Sequence, residues 1–331
     1  MTVAPPIPFP VAESSQVGEA RRQILTLAAT VGLDAAQQGK LALVINELAT
    51  NLVKHGGGGQ IIARAPDGPP AVELLALDRG AGMSSVVECF RDGFSTAGSP
   101  GTGLGAVGRL SARVDVYSTR PGGTAIVALV GGEPTAGRLE VGAVSVAKAG
   151  EVVCGDAWAV AAEQELPAVM VVDGLGHGLG AADAAHRAVR TFLAQSTLPP
   201  GAVIAAIHDA LRGGRGAAVS VARIDGARGV MTYAGLGNVA GVIAAGGQAR
   251  HVVSSNGTAG HDAQRIKEFS YPWPAGALLI MHSDGLGSRW QLDRYPGLRE
   301  RHPALVAGVL YRDWSRGRDD VTVLAARLRR P

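Results

Sequence analysis

Cysteine is nearly missing from this chain: Cys89 and Cys154 are the only two in 331 residues, and they form no CxxC pair. That excludes a cysteine-based zinc site and a disulfide framework, and it fits a reducing compartment. Aromatic residues are scarce, at 4% against 47% hydrophobic, so small side chains must fill most of the core. No stretch approaches the length of continuous apolar sequence that a membrane-spanning helix needs. The opening MTVAPPIPFPVAESS lacks a basic start followed by an apolar run. A soluble, unsecreted, cytoplasmic protein with no membrane partner is therefore expected. Lysine is confined to Lys40, Lys54, Lys148 and Lys267, the net charge is only +3, and the densest basic run is the terminal RLRRP. Nucleic acid is accordingly not expected as a partner.

Glycine, by contrast, is abundant at 47 residues, clustered in short turns between apolar runs and without a collagen-like period. The length favours two domains, each with its own core. A breaker cluster, Gly131, Gly132, Pro134 and Gly137, separates the strand-like TAIVALV from the alternating run LEVGAVSVA. This puts the boundary at about residue 135, giving domains 1–135 and 136–331.

In the first half, GKLALVINELATNLVKHGGGG carries Leu41, Val44, Ile45, Leu48 and Leu52 at helical spacing. Glu47 and Asn51 are i, i+4 neighbours on another face, which on its own reads as a solvated surface. The strand AVELLALD then ends in Asp78, with Gly80 and Gly82 behind it. Spaced glycines let backbone approach a flat ligand while a carboxylate accepts a hydrogen bond from an exocyclic amine, although an ordinary turn has the same look. Gly98, Gly101, Gly103 and Gly105 precede an apolar-periodic helix, an arrangement suited to phosphate. Neither a P-loop nor a dinucleotide fingerprint is present.

Taken in order, NELATN, DRGAG and GTGLG resemble the N box and the two glycine boxes of the GHKL ATPase family, across roughly residues 10 to 132. The stretch DGFSTAGSPGTGLGAVGRL is most similar to the small serine kinases and anti-sigma factors of bacterial partner-switching systems. The resemblance implies a Bergerat-type α/β sandwich binding ATP and Mg²⁺. It implies Asn51 on Mg²⁺, Asp78 on the adenine amino group with Thr124 supporting it, and Gly80, Gly82, Gly101, Gly103 and Gly105 around the nucleotide. Glu47 would be the general base that takes a proton from an attacking hydroxyl.

The second half is a succession of short strands, LEVGAVSVA, AWAVAAE, AVMVV, AAVSVARI, GVMTYAGL, AGVIAAG, ARHVVSS, GALLIMHS and VTVLAARL. Helical patterns appear mainly after Gly180, around Pro200 to Arg212 and around His302 to Ser315. Many strands with few helices predict packed antiparallel sheets covered by helices, an α+β arrangement. The prolines of YPWPAG, residues Tyr271 to Gly276, predict a loop. Acids sit at strand borders: Asp156 in CGDAW, Asp173 in VVDGLGHG, Asp284 in HSDGL, and Asp319 with Asp320 in DDVTVL. Buried carboxylates without partners are costly, and a cation would satisfy several together. Oxygen ligands without cysteine or clustered histidine favour Mg²⁺ or Mn²⁺. Ser283 lies in no GxSxG elbow, so a serine hydrolase is not expected.

The order GD, DGxGHG, SDG and DD resembles the metal-dependent PPM serine/threonine phosphatases, in their SpoIIE and RsbX branch, across about residues 138 to 330. This implies a four-layer αββα sandwich. It implies a metal shell of Asp156, Asp173, the Gly174 carbonyl, Asp284 and Asp319, with Asp320 as the alternative to Asp319. Asp173 would be shared between two ions, and a phosphoserine or phosphothreonine ester would be hydrolysed by water that the ions activate. His177 reads either as a shaper of the glycine loop or as an acid or phosphate contact. Larger relatives carry a phosphate-binding arginine before the first aspartate, where this chain offers only Lys148. The block LGN, Leu236 to Asn238, is taken as structural.

The whole reads as a fused regulator: an ATP-binding serine-kinase-like module and a Mn²⁺/Mg²⁺-dependent protein phosphatase. Partners implied by the resemblance are STAS-domain antagonists or stressosome-type proteins, with a sigma factor as a further candidate. In the alternative, the first half is a non-catalytic ATP-dependent clamp or a nucleotide sensor gating the phosphatase.

Overall fold

The structure, a computed structural model, describes residues 6–90, 103–133, 138–162, 166–263 and 265–329. It divides into two compact units, residues 3–136 and 137–331.

The first unit runs β1 (Ile7–Val11), α1 (Ser14–Thr30), α2 (Ala35–Lys54), β2 (Gly59–Arg64), β3 (Ala71–Asp78), α3 (Val86–Cys89), α4 (Gly103–Leu110), β4 (Arg113–Thr119) and β5 (Gly123–Gly131). The strands form one antiparallel sheet in the order β1-β2-β3-β5-β4. Helix α2 starts a turn earlier than the apolar pattern, because the Asp34 side chain accepts from the Gln37 amide at 2.8 Å and caps it. Its apolar stripe, Leu41, Val44, Ile45, Leu48 and Leu52, is buried with Ile61, Leu74 and Ile126 of the sheet. That one-sided burial leaves the face carrying Glu47 and Asn51 for other use.

The second unit contains β6 (Leu139–Val146), β7 (Asp156–Ala161), β8 (Ala168–Gly174), α5 (Leu179–Ala194), α6 (Pro200–Leu211), β9 (Ala217–Asp225), β10 (Val230–Leu236), β11 (Ala240–Ala245), β12 (Gln248–His251), β13 (Glu268–Pro272), β14 (Leu278–His282), α7 (Pro303–Trp314) and β15 (Val321–Leu328). Two antiparallel sheets result, ordered β13-β10-β9-β8-β7 and β12-β11-β14-β15-β6. Helices α5 and α6 pack on the first sheet, and α7 packs on β6 and β15 of the second. This is the four-layer αββα arrangement, and it explains why β14 buries all five of its residues: each sheet is covered on both faces. Helix α7 lies so close to β6 that a Cβ on Gly142 would stand 1.9 Å from the Ala304 nitrogen.

One loop expectation is corrected. Tyr271 and Pro272 belong to β13, which pairs with β10 from Ala234↔Glu268 to Val230↔Pro272. The proline is accommodated because β13 is an edge strand and Pro272 is its last residue. Among the described residues no helix is long and apolar enough to cross a membrane.

Candidate metal centre and nucleotide site

The acids of the second unit meet because strand ends do. Asp156 opens β7 and Asp173 lies near the end of β8, and in the antiparallel register the two are direct cross-strand partners. Like charges in that position repel. Asp156 is 5% exposed, and its Oδ2 is buried without a hydrogen-bond partner. Gly174 follows, and a Cβ there would stand 2.3 Å from the Ala181 carbonyl oxygen and 2.8 Å from that of Gly155. Only glycine fits, which keeps the start of α5 tight against the end of β8.

Asp284 follows β14, and Asp319 and Asp320 precede β15, its neighbour in the other sheet. The two loops are stitched together: the Ser283 amide donates to the Thr322 carbonyl at 3.0 Å, and the Thr322 amide donates to Ser283 Oγ at 2.9 Å. The paired acids differ sharply. Asp319 is exposed, whereas Asp320 is 3% exposed and its two oxygens accept the Lys148 and Gly155 amides at 2.8 and 2.9 Å. Asp320 thereby fastens the loop that delivers Asp156. Lys148, which stands where larger relatives carry an arginine, enters this knot through its backbone amide.

Asn238 was overlooked as a contributor. Its Nδ2 donates to Asp284 Oδ2 at 2.8 Å, so the LGN block aims one of the acids. The signal was present as an amide at a β10–β11 turn, but nothing in the sequence tied it to a residue 46 positions away. Asn238→Ala should lower turnover at a site centred on these acids by about 10- to 100-fold, the span typical of removing a group that orients a metal ligand. Steady-state rates at saturating Mn²⁺ check this.

Among the described residues no three His, Cys, Asp or Glu side chains are drawn up into a closed cation cluster. Mg²⁺ typically needs only one or two carboxylates, with waters completing its shell. The electrostatics favour such an ion. Burial, then the charge of Asp173, holds the Asp156 carboxyl well above its ordinary range, although the Ser283 and Thr322 hydroxyls act the other way. Burial, then Asp284, Asp319 and Asp320, pushes Asp173 up to about 7 from 3.8. A carboxyl with a raised folded pKa binds its proton more tightly folded than unfolded. Its stabilising contribution is complete below about pH 3.8 and is lost as pH rises through about 7. The metal-free protein should therefore melt at progressively lower temperature across that window. Saturating Mn²⁺ should remove much of the loss, which melting scans in chelator and in Mn²⁺ will show.

His177 sits on the glycine loop, with Nδ1 2.5 Å from Glu151 Oε1. Gly176 and Gly178 supply positive φ values of 86° and 71° on either side of it. Cys154 is inert here, since burial, with Asp156 nearby, pushes its thiol up to about 12.

In the first unit, Asp78 Oδ1 accepts the Gly80 amide at 2.8 Å and the Thr124 amide at 3.1 Å. Thr124 Oγ1 lies 2.9 Å from Ser118 Oγ, which in turn accepts the Met83 amide. Glycine is required around this acid: a Cβ on Gly80 would stand 2.5 Å from the His55 carbonyl oxygen, and one on Gly123 2.3 Å from that of Asp78. Gly82 has φ 71° and leaves no room for a Cβ beside the Thr119 oxygen. Glu47 is partly buried on α2, and its Oε2 lies 3.2 Å from the Cβ position of Gly103 at the head of α4. The N-box helix and the second glycine box thus meet. Asn51 Nδ2 is buried with no hydrogen-bond partner. Gly105 is buried in the first turn of α4, and Gly101 lies outside the described residues.

Residues 164–329 match the family described as Stage II sporulation protein E (SpoIIE), which is half of the chain. The chain belongs to the SpoIIE family. Residues 10–129 match the histidine kinase-like ATPase domain. The first unit is similar to the serine/threonine-protein kinase RsbT of Bacillus subtilis strain 168, 34% identical over 112 residues, 33% of this chain and 84% of the relative. The chain is also similar to the phosphoserine phosphatase RsbX of the same organism, 26% identical over 141 residues, 42% of this chain and 70% of the relative. A solved structure described under the bacterial stressosome, a modular system adapted to control secondary messenger signalling, covers 57% of this chain and 99% of its own. Its TM-score is 0.54 at 29% identity. This SpoIIE-family chain is therefore a serine/threonine protein phosphatase with a kinase-like ATPase domain fused ahead of it.

Proposed function

We propose that the chain removes phosphate from a phosphoserine or phosphothreonine of a STAS-domain antagonist or stressosome-type protein, with Mn²⁺ or Mg²⁺, and that its first unit binds ATP and phosphorylates the same class of partner. The observation that carries the phosphatase centre is the cross-strand pair Asp156–Asp173, one of its oxygens buried without a partner, with Asp173 also feeling the charges of Asp284 and Asp319. The groups that would hold the ions, with waters completing the shells, are drawn from Asp156, Asp173, the Gly174 carbonyl, Asp284 and Asp319. Asp319 is preferred to Asp320 because Asp320 spends both oxygens on backbone amides. When bound, the ions supply a water of lowered pKa and offset charge on the phosphoryl oxygens. Asn238 keeps Asp284 turned towards them. Asp320 holds the Asp156 loop.

In the ATPase unit, Asp78 would receive the adenine amino group inside its glycine cage, with Thr124 behind it, and the Asn51 side-chain oxygen would hold Mg²⁺. Gly80, Gly82, Gly103 and Gly105 would let backbone close on the nucleotide, and Gly101, outside the described residues, is proposed for the same role. Glu47, beside the head of α4, accepts the proton of the attacking hydroxyl.

The test is direct. Full-length protein, Mn²⁺ and a radiolabelled phosphoserine STAS-domain protein should give free phosphate, and chelator should stop it. Absence of release from any phosphoserine or phosphothreonine protein in Mn²⁺ would reject the phosphatase reading.

A further inference from the structure

Where larger relatives carry a phosphate-binding arginine this chain offers only Lys148, whose backbone amide donates to Asp320. Another cation lies on the opposite side of the glycine loop. Arg215 precedes β9, the strand that pairs Ala217 with Gly174 and Ala218 with Asp173. The pairing runs on past the strand end, since the Leu175 amide donates to the Gly216 carbonyl at 2.9 Å. Arg215 is therefore only two residues of strand, roughly 7 Å, beyond the partner of Gly174. Its side chain folds back along the loop: Nη1 lies 3.4 Å from the carbonyl oxygens of both Leu175 and His177.

The loop is shaped to receive it. A Cβ on Gly180 would stand 2.8 Å from Arg215 Nε, and one on Gly176 would stand 3.0 Å from Nη1. Either substitution would press on the guanidinium. The two carbonyl contacts are long for hydrogen bonds and use one nitrogen, and among the described residues no carboxylate pairs with Arg215. It is exposed, so the rest of its planar fork is open to an oxyanion. An exposed guanidinium on the glycine loop, with no carboxylate partner among the described residues, is suited to a ligand that brings its own negative charge.

Resting on the phosphatase reading above, we infer that Arg215 is the phosphate-binding cation of this site, reaching the phosphoryl oxygens from the β9 side of the glycine loop. The arginine draws the dianionic group in against the repulsion of the acids. It then holds the ester where the ions act. The role is binding, so it belongs to KM and to product affinity more than to turnover.

The experiment uses full-length protein saturated with Mn²⁺. Rates with p-nitrophenyl phosphate and calorimetric titration with inorganic phosphate are compared for wild type, Arg215→Ala and Arg215→Lys. Loss of a charge-assisted contact should raise KM and the phosphate dissociation constant by about 10- to 100-fold in Arg215→Ala, with kcat falling far less. Arg215→Lys should recover part of the loss, since a point charge remains without the fork. Unchanged KM and phosphate affinity in a folded, Mn²⁺-binding Arg215→Ala would overturn the assignment while leaving the phosphatase reading intact. A wild type that binds phosphate through Arg215 but hydrolyses nothing would sustain the assignment and reject that reading. A wild type that neither binds phosphate nor hydrolyses the ester would overturn both.

Discussion

Asp173→Asn is expected to lower Mn²⁺-dependent phosphate release by about a thousandfold or more, since an ion's stabilisation of transition-state charge is worth several kcal/mol and each 1.4 kcal/mol is tenfold. Asp173 faces Asp156 across the strand pair and feels the charges of Asp284, Asp319 and Asp320, so it stands among all the candidate ligands. The amide keeps the shape and one oxygen but removes the charge proposed to hold a divalent ion. The variant should still fold, because Asp173 is a destabilising charge in the metal-free state and neutralising it relieves repulsion. ATP binding should persist, since the candidate nucleotide residues lie in the other compact unit. Release of phosphate from a phosphoserine protein, with nucleotide binding measured on the same preparation, checks both statements. Undiminished release would remove Asp173 from the site.

Glu47→Ala should cut phosphate transfer from ATP to a STAS-domain protein by about 100- to 10,000-fold, the span of general-base catalysis, with little change in ATP affinity. The carboxylate sits where the N-box helix meets the head of α4, with Oε2 3.2 Å from the Cβ position of Gly103. Asn51→Ala should do the reverse and weaken nucleotide binding, through loss of the side-chain oxygen proposed to hold Mg²⁺. Labelled ATP incubated with the full chain and the partner separates kinase from clamp. Transfer that Glu47→Ala abolishes identifies catalysis, whereas a stable ATP-dependent complex with no transfer identifies a clamp. The measured split between rate and affinity distinguishes the two residues.

Much of this was legible in the chain before it folded. The apolar stripe of α2 and the recurrent short strands of the second half appear where period and breaker residues indicated. The DGxGHG glycines mark backbone that only glycine can adopt: positive φ at Gly176 and Gly178, and no space at Gly174. The strand at Glu268–Pro272 was hidden, because edge position, which excuses its proline, is a property of the sheet and not of the segment. Asn238 was hidden for a similar reason, its partner Asp284 being brought near only by β11 and β14 pairing.

The sequence by itself determined which residues could carry chemistry: acids at strand borders, spaced glycines, and an amide and a carboxylate one helical turn apart. Those follow from local rules, since backbone freedom, periodicity and side-chain type are fixed residue by residue. The tertiary structure decided how the acids divide the work. Asp319 and Asp320 are adjacent and identical in type, yet one faces solvent and the other spends both oxygens on amides more than 160 positions away. Arg215 acquired its place beside the glycine loop in the same way, through the pairing of β8 with β9. Charge and hydrogen-bond capacity are written in the chain, but the partner that satisfies them is chosen by strand register.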